Sequence, residues 1–145
     1  MQTRRLHEVN GETTWLIVLE TGDEAMACLK RFAADEGLDA ASVKAIGAFE
    51  RATLSFFEWE SREYLPIPVD EQVEVASLTG DIALDPEGKP AVHVHAVLGR
   101  RDGSAFAGHL MEGHVRPTLE IVLTESPVTL QKRMDAETGL ALIRV

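Results

Sequence analysis

Short apolar-rich segments separated by turn signals fill most of the chain and predict a succession of β-strands. A first strand is expected at Thr14–Leu19, after a hairpin turn at Asn10-Gly11, whose residues tolerate positive φ. "REYLPIPV" carries two prolines and is therefore expected at an edge, whereas Gly80 interrupts another strand and indicates a bulge. The remaining predicted strands are "SVKAIGAF", "RATLSFFEW", "EQVEVASLTGDIAL", "AVHVHAVLG", "PTLEIVLTE" and "GLALIRV".

A single helix is predicted over residues 22–36. Met26, Leu29 and Phe32 recur at helical spacing and form one apolar stripe. The stretch "TGDE" at residues 21–24 resembles a capping box, and Gly37 is suited to the left-handed position that ends a helix.

Together these elements predict an α+β domain with a mostly antiparallel sheet of about six or seven strands. The helix is expected to cover one face of the sheet. No internal repeat or linker divides the chain, so we expect one domain over residues 1–145.

Composition narrows the cellular setting. The 145 residues are 45% hydrophobic and include one cysteine, Cys28, which we expect to be a buried thiol. Neither a signal peptide nor a run of ~20 apolar residues is visible, which predicts a cytoplasmic protein with no membrane partner. The formal net charge of −10 argues against binding to nucleic acid, because affinity for phosphates comes largely from Lys and Arg.

The candidate chemistry lies in "AVHVHAVLG". Strict alternation turns Val92, Val94, Ala96 and Leu98 towards the core, so His93 and His95 share the opposite face of the strand. Side chains two residues apart on a strand are close enough to bind one zinc ion through bonds of ~2.0–2.1 Å.

A third histidine depends on the length of the following turn. A two-residue loop, Asp102-Gly103, would turn His109 to the wrong face. A three-residue loop, 101–103, puts Gly103 in the left-handed position and sets His95 directly opposite His109.

Solvated surface histidines are the alternative interpretation of this pattern. Glu120, Glu112 or a water molecule are candidates for a fourth ligand or a neighbouring group. His7 and His114 are interpreted as surface residues. Gly108 and Gly113 suggest close backbone approach at a bulge or another chain, or else a flexible loop.

The segments "GAFERATLSFF", "HVHAVLGRRDGSAFAGHL" and "RPTLEIVL" resemble the plant and prokaryote conserved (PPC, also PCC) domain in its form without AT-hooks. The resemblance covers nearly the whole chain and implies a homotrimer that holds zinc, or another divalent transition metal, at His93, His95 and His109. It also implies a protein contact through Gly47, Phe49 and Glu50, although Ala48 replaces the arginine of plant members.

Three functions compete. The first is a trimeric metal-binding domain with a regulatory, ligand-sensing or assembly role and a small-molecule ligand at the metal. The second is a metal-dependent hydrolase, with Glu120 or Glu112 as general base. The third is a DNA-binding protein, which rests on the family's usual label and is disfavoured by the charge.

Overall fold

Two unusually long strands organise the fold. A computed structural model describes residues 1–144 and contains one helix and nine strands within them. The third and seventh strands span 19 and 21 residues, whereas most strands in globular proteins have 3–10. In chain order the elements are β1 (Gln2–Val9), β2 (Glu12–Glu20), α1 (Ala25–Glu36), β3 (Ala40–Glu58), β4 (Glu63–Val69), β5 (Val73–Leu84), β6 (Pro90–Gly99), β7 (Ala105–Glu125), β8 (Lys132–Met134) and β9 (Ala141–Ile143).

The seven larger strands form one antiparallel sheet in the order β1-β2-β7-β6-β5-β3-β4. β3 also pairs with β7, so the pairings β3–β5, β5–β6, β6–β7 and β7–β3 close on themselves. The predicted α+β class and the mostly antiparallel sheet are confirmed. "SVKAIGAF" and "RATLSFFEW" are not separate strands, because β3 continues through both of them.

The helix begins at Ala25, three residues later than predicted, and the expected capping box at Thr21 is wrong. Glu24 is the N-cap, and its carboxylate accepts hydrogen bonds from the backbone N–H groups of Met26 and Ala27. A glutamate long enough to fold back on the first turn replaces the shorter capping side chain. The predicted end is confirmed, since Gly37 adopts the left-handed conformation.

The apolar stripe of α1 packs against β6 and β7 and fills the core. Met26, Leu29 and Phe32 are buried, and the Phe32 ring meets Trp15 edge to face at 5.3 Å between centroids. Cys28 is a buried free thiol as expected, and its burial raises its pKa.

The position of the proline-containing strand and the surroundings of three glycines can be compared with the sequence predictions. The proline-containing strand β4 is an edge strand as predicted. Gly80 is not a bulge: a Cβ on it would lie 2.0 Å from the His93 carbonyl oxygen, so glycine allows β5 and β6 to approach closely. Gly108 and Gly113 approach β3 of the same chain, at Ser55 and Phe49 respectively.

The C-terminal segment forms a separate two-stranded sheet, β8–β9, within the predicted strand "GLALIRV" and the residues before it. Val145, the last residue of that prediction, lies outside the described residues. Within residues 1–144 no helix has the length and apolarity required to cross a lipid bilayer.

Candidate metal centre

The β6–β7 turn sets the register of the three candidate ligands. Gly103 has a φ of +85°, which any residue with a side chain adopts at a cost. The N–H of Arg100 donates to the Ser104 carbonyl at 2.8 Å, and Asp102 accepts from the Ser104 N–H at 2.9 Å. The predicted three-residue loop, 101–103, is therefore confirmed.

With this register His95 lies directly opposite His109, as the loop predicted. The ring centroids of the three histidines are 5.0–5.5 Å apart, and the His93 ring stacks on that of His109. One ligand nitrogen from each histidine can be chosen so that all lie within 4.8 Å of one another. Two neighbouring strands thus direct three imidazoles at one point.

His109 is the most constrained of the three side chains. Its Nδ1 atom is buried and has no hydrogen-bond partner. Burial, together with the charges of His93 and His95, lowers the pKa of His109 to about 4. Burial also lowers the pKa of His95. Neutral imidazoles are the form that binds metal.

A carboxylate that the sequence analysis missed supports His93 from β5. Asp81 is the register partner of His93 and lies 3.4 Å from its Nδ1. Burial raises the pKa of Asp81, but contacts with His93 and Lys132 outweigh it, so the pKa is lowered overall. The β5–β6 turn could have revealed Asp81, because residues 85–89 form a closed loop from which the register can be counted.

Lys132 and Tyr64 complete the surroundings of the histidines. The Lys132 Nζ lies 3.0 Å from Asp81 in an ion pair, although the lysine is only 6% exposed. The Tyr64 ring lies 5.1 Å from that of His109. Neither contact has a local sequence signal, because β8 and β4 reach the site from distant parts of the chain.

A cavity of about 480 Å³ opens beside His93 and His95. Asp81 and Lys132 supply its charged groups. The remaining lining residues are Tyr64, Ala91, Leu140, Ala141, Leu142 and Ile143.

The carboxylates considered in the sequence analysis lie elsewhere. Glu112 contacts His114, and Glu120 lines a different hollow formed by β3, β5 and β7. Neither lines the histidine cavity or joins the three histidines as a ligand group among the described residues. His7 is exposed, and His114 is partly buried beside Glu112.

The segment that the resemblance associates with protein contacts has a mixed environment. Phe49 is fully buried in the chain's own core, and its ring occupies the space beside Gly113. Gly47 approaches the Thr118 carbonyl closely, while Glu50 is partly exposed beside Arg51 and Arg116.

Comparison with protein families decides the affiliation. Residues 6–127 match the Plants and Prokaryotes Conserved (PCC) domain. The chain belongs to the PCC domain family. The resemblance inferred from its histidine and glycine segments is thereby confirmed.

Solved structures align with nearly the whole chain. A plant- and prokaryote-conserved (PPC) protein from Pyrococcus horikoshii is 31% identical, with 99% of this chain and 95% of that chain covered and a TM-score of 0.84. A protein from Archaeoglobus fulgidus described as metal-containing is 30% identical, with 91% and 93% covered and a TM-score of 0.82. No curated protein matches the chain.

A third structure carries a different functional description. A protein from Ralstonia eutropha JMP134 named as a candidate DNA-binding protein is 31% identical, with 90% of both chains covered and a TM-score of 0.83. Its alignment supports the PCC fold, and its name describes that protein.

The PCC histidines suit a divalent transition metal. Three imidazoles leave one open coordination position, and the buried, unpaired Nδ1 of His109 is the kind of atom that a metal would satisfy. Asp81 beside His93 matches the carboxylate that commonly orients a metal-bound histidine.

Proposed function

We propose that this PCC domain binds a zinc ion through His93, His95 and His109 and uses its open position to hold a small ligand in a sensing or regulatory role. The observation that carries the proposal is the convergence of the three ligand atoms within 4.8 Å. Imidazole nitrogens suit zinc and the neighbouring divalent transition metals. When bound, the ion would supply a Lewis-acidic coordination position.

The surrounding residues would prepare this site in distinct ways. Asp81 would orient His93 through its Nδ1, and Lys132 would keep Asp81 ionised. The low pKa of His109 would keep it unprotonated and available to a metal well below neutral pH.

Cobalt(II) spectroscopy tests this proposal. Cobalt(II) added to metal-free protein should give the intense visible absorption of a four-coordinate site at one ion per chain. His109→Ala should abolish the signal. His7→Ala should retain it, because His7 is exposed and lies on β1, which pairs with neither β6 nor β7. Retention of the signal in His109→Ala would exclude His109 as a ligand and so contradict the three-histidine site.

We further propose assembly as a homotrimer. An exposed apolar surface on β3 and β7 supports an oligomer, since Ile46 is 62% and Val122 45% exposed beside a hollow of about 610 Å³. The contact predicted for Gly47, Phe49 and Glu50 belongs to the same proposal; of these, Glu50 has a partly exposed side chain. The free thiol of Cys28 supports a cytoplasmic location.

A nucleic-acid function has less support. The three densest basic pairs of the sequence each have a member engaged with an acid: Arg5 with Glu8, Arg100 with Glu71, and Lys132 with Asp81. With the net charge of −10, this leaves little free positive charge for phosphates. Retention of duplex DNA in a mobility-shift assay at moderate salt would contradict this part of the account.

Hydrolysis finds no specific support beyond the three imidazoles. A general base must reach the reacting water, and neither Glu120 nor Glu112 lines the histidine cavity. The proposal is therefore ligand binding at the metal rather than turnover.

A further inference from the structure

The cavity beside the histidines has walls of two kinds. One side carries the imidazoles of His93 and His95, and the other is the C-terminal hairpin β8–β9. Leu142 and Ile143 on β9 line the cavity and are 38% and 37% exposed, so the apolar wall has no cover within the described chain. We propose that this cavity binds a small organic acid, with its carboxylate towards the metal and its apolar body against the hairpin. The inference rests on the proposed metal site and specifies its ligand class.

The charges of the cavity favour an anion. Asp81 is the only carboxylate among the described lining residues, and Lys132 neutralises it at 3.0 Å. Three neutral imidazoles contribute no negative charge, so a divalent ion there would keep its full charge in a partly buried place. A carboxylate supplies the missing negative charge and is a good oxygen ligand for zinc.

The apolar wall argues against ligands that are charged over their whole surface. A phosphate ester requires several donors around its oxygens, yet the one lysine in the cavity is already paired with Asp81. A small aromatic or branched aliphatic body would instead cover Leu140, Leu142 and Ile143, and this burial favours binding.

The size of the cavity agrees with this class. Its volume of about 480 Å³ lies within the range of ~300–1,000 Å³ found for small-molecule sites. Acetate has no apolar body to cover the hairpin wall, whereas phenylacetate adds an aromatic ring that can pack against the apolar lining residues. The Tyr64 ring adds a further flat apolar surface.

Isothermal titration calorimetry of the zinc-loaded protein tests the proposal with phenylacetate as the probe. Phenylacetate should bind once per chain and at least about tenfold more tightly than acetate, which lacks the apolar body. Phenylacetamide, of equal size but uncharged, should also bind about tenfold more weakly or worse. Removal of zinc should abolish the phenylacetate signal.

A matched pair of variants assigns the wall. Leu142→Asp should weaken phenylacetate binding about tenfold or more, because it places a carboxylate in the apolar wall. Met134→Asp changes the other strand of the same hairpin at a residue that does not line the cavity, and it should bind like the wild type. The zinc content of both variants is measured in the same samples.

The outcomes separate the two proposals. If the protein has a normal zinc content but binds phenylacetate and acetate with equal affinity, the proposed ligand class is wrong and the metal site stands. The same conclusion follows if Leu142→Asp holds zinc and binds phenylacetate as tightly as the wild type. A wild-type protein that holds no zinc overturns both. Tight binding of phenylacetate without zinc overturns the assigned orientation, because the carboxylate would then have another partner.

Discussion

His95 and His109 lie directly opposite each other on the antiparallel strands β6 and β7, with ring centroids 5.5 Å apart. A loop of three residues creates this relationship, and a one-residue change of register would turn His109 to the other face. His93 lies on the same face as His95 because it is two residues away on the same strand. The candidate metal centre is therefore a consequence of turn geometry as much as of ligand identity.

His109→Phe should separate stability from metal binding. The Nδ1 atom of His109 is buried without a hydrogen-bond partner, so its replacement by an apolar ring of similar shape removes a desolvation cost. We expect the metal-free variant to match or exceed the wild type in free energy of unfolding, by up to about 2 kcal/mol, in urea denaturation. His7→Phe serves as the control, with a change within about 0.5 kcal/mol. A loss above about 1 kcal/mol in His109→Phe would contradict this view of the side chain.

The stability of the metal-free protein should depend on pH through His109. Its pKa is about 4 in the folded chain and near 6.5 when unfolded, so between these values the unfolded state binds more protons. The free energy of unfolding is therefore unaffected by this titration above pH ~6.5 and falls as the pH is lowered towards ~4, where the unfolded state is protonated first. Urea unfolding from pH 7 to 4.5 should give a steeper fall in wild type than in His109→Phe. Equal slopes would show that His109 is not the titrating group.

Glu24 is partly buried at the start of α1 and should be important to stability. Its carboxylate accepts hydrogen bonds from the backbone N–H groups of Met26, Ala27 and Gly113, and so joins the start of the helix to β7. Glu24→Ala should cost about 2–3 kcal/mol, from a lost N-cap and a stranded Gly113 N–H.

Thr21→Ala is the matched comparison for Glu24→Ala. The Thr21 hydroxyl reaches only the Pro117 carbonyl, at 3.4 Å, so this variant should change the free energy of unfolding by less than about 0.5 kcal/mol. A larger loss of stability in Thr21→Ala than in Glu24→Ala, measured by chemical denaturation, would instead support the capping box at Thr21.

The features that depend on a few adjacent residues were predicted better than those that depend on residues far apart in the chain. The Asn10-Gly11 turn, the end of the helix at Gly37 and the β6–β7 loop each depend on a few adjacent residues whose backbone preferences are known, and all three are confirmed. Strand alternation likewise identified the shared face of His93 and His95.

Features that depend on distant parts of the chain were missed or mistaken. Glu24 caps the helix and also accepts a hydrogen bond from the backbone N–H of Gly113, 89 residues away. The adjacent "TGDE" pattern does not reveal that contact. Gly80 was predicted to mark a bulge, whereas a glycine is required there because the backbone of β6 lies too close to leave room for a side chain. Lys132 reaches Asp81 only after the chain has crossed to the C-terminal hairpin.

The proposed trimer should depend on the exposed apolar surface of β3 and β7. Ile46→Asp places a charge at a side chain that is 62% exposed in the single chain, so an assembled interface there would be disrupted. Light scattering should give the mass of three chains for wild type and of one chain for Ile46→Asp. Val128→Asp, at a residue 61% exposed elsewhere, should remain trimeric. A monomeric wild type at micromolar concentration would refute the trimer.

Metal content is the most direct test of the central claim. Elemental analysis of protein purified without added metal should find about one zinc or similar divalent ion per chain in wild type and in His7→Ala. His93→Ala, His95→Ala and His109→Ala should each lose at least about nine-tenths of it, because two imidazoles hold zinc far more weakly than three. Negligible metal in wild type, or full metal content in any of these three variants, would contradict the account.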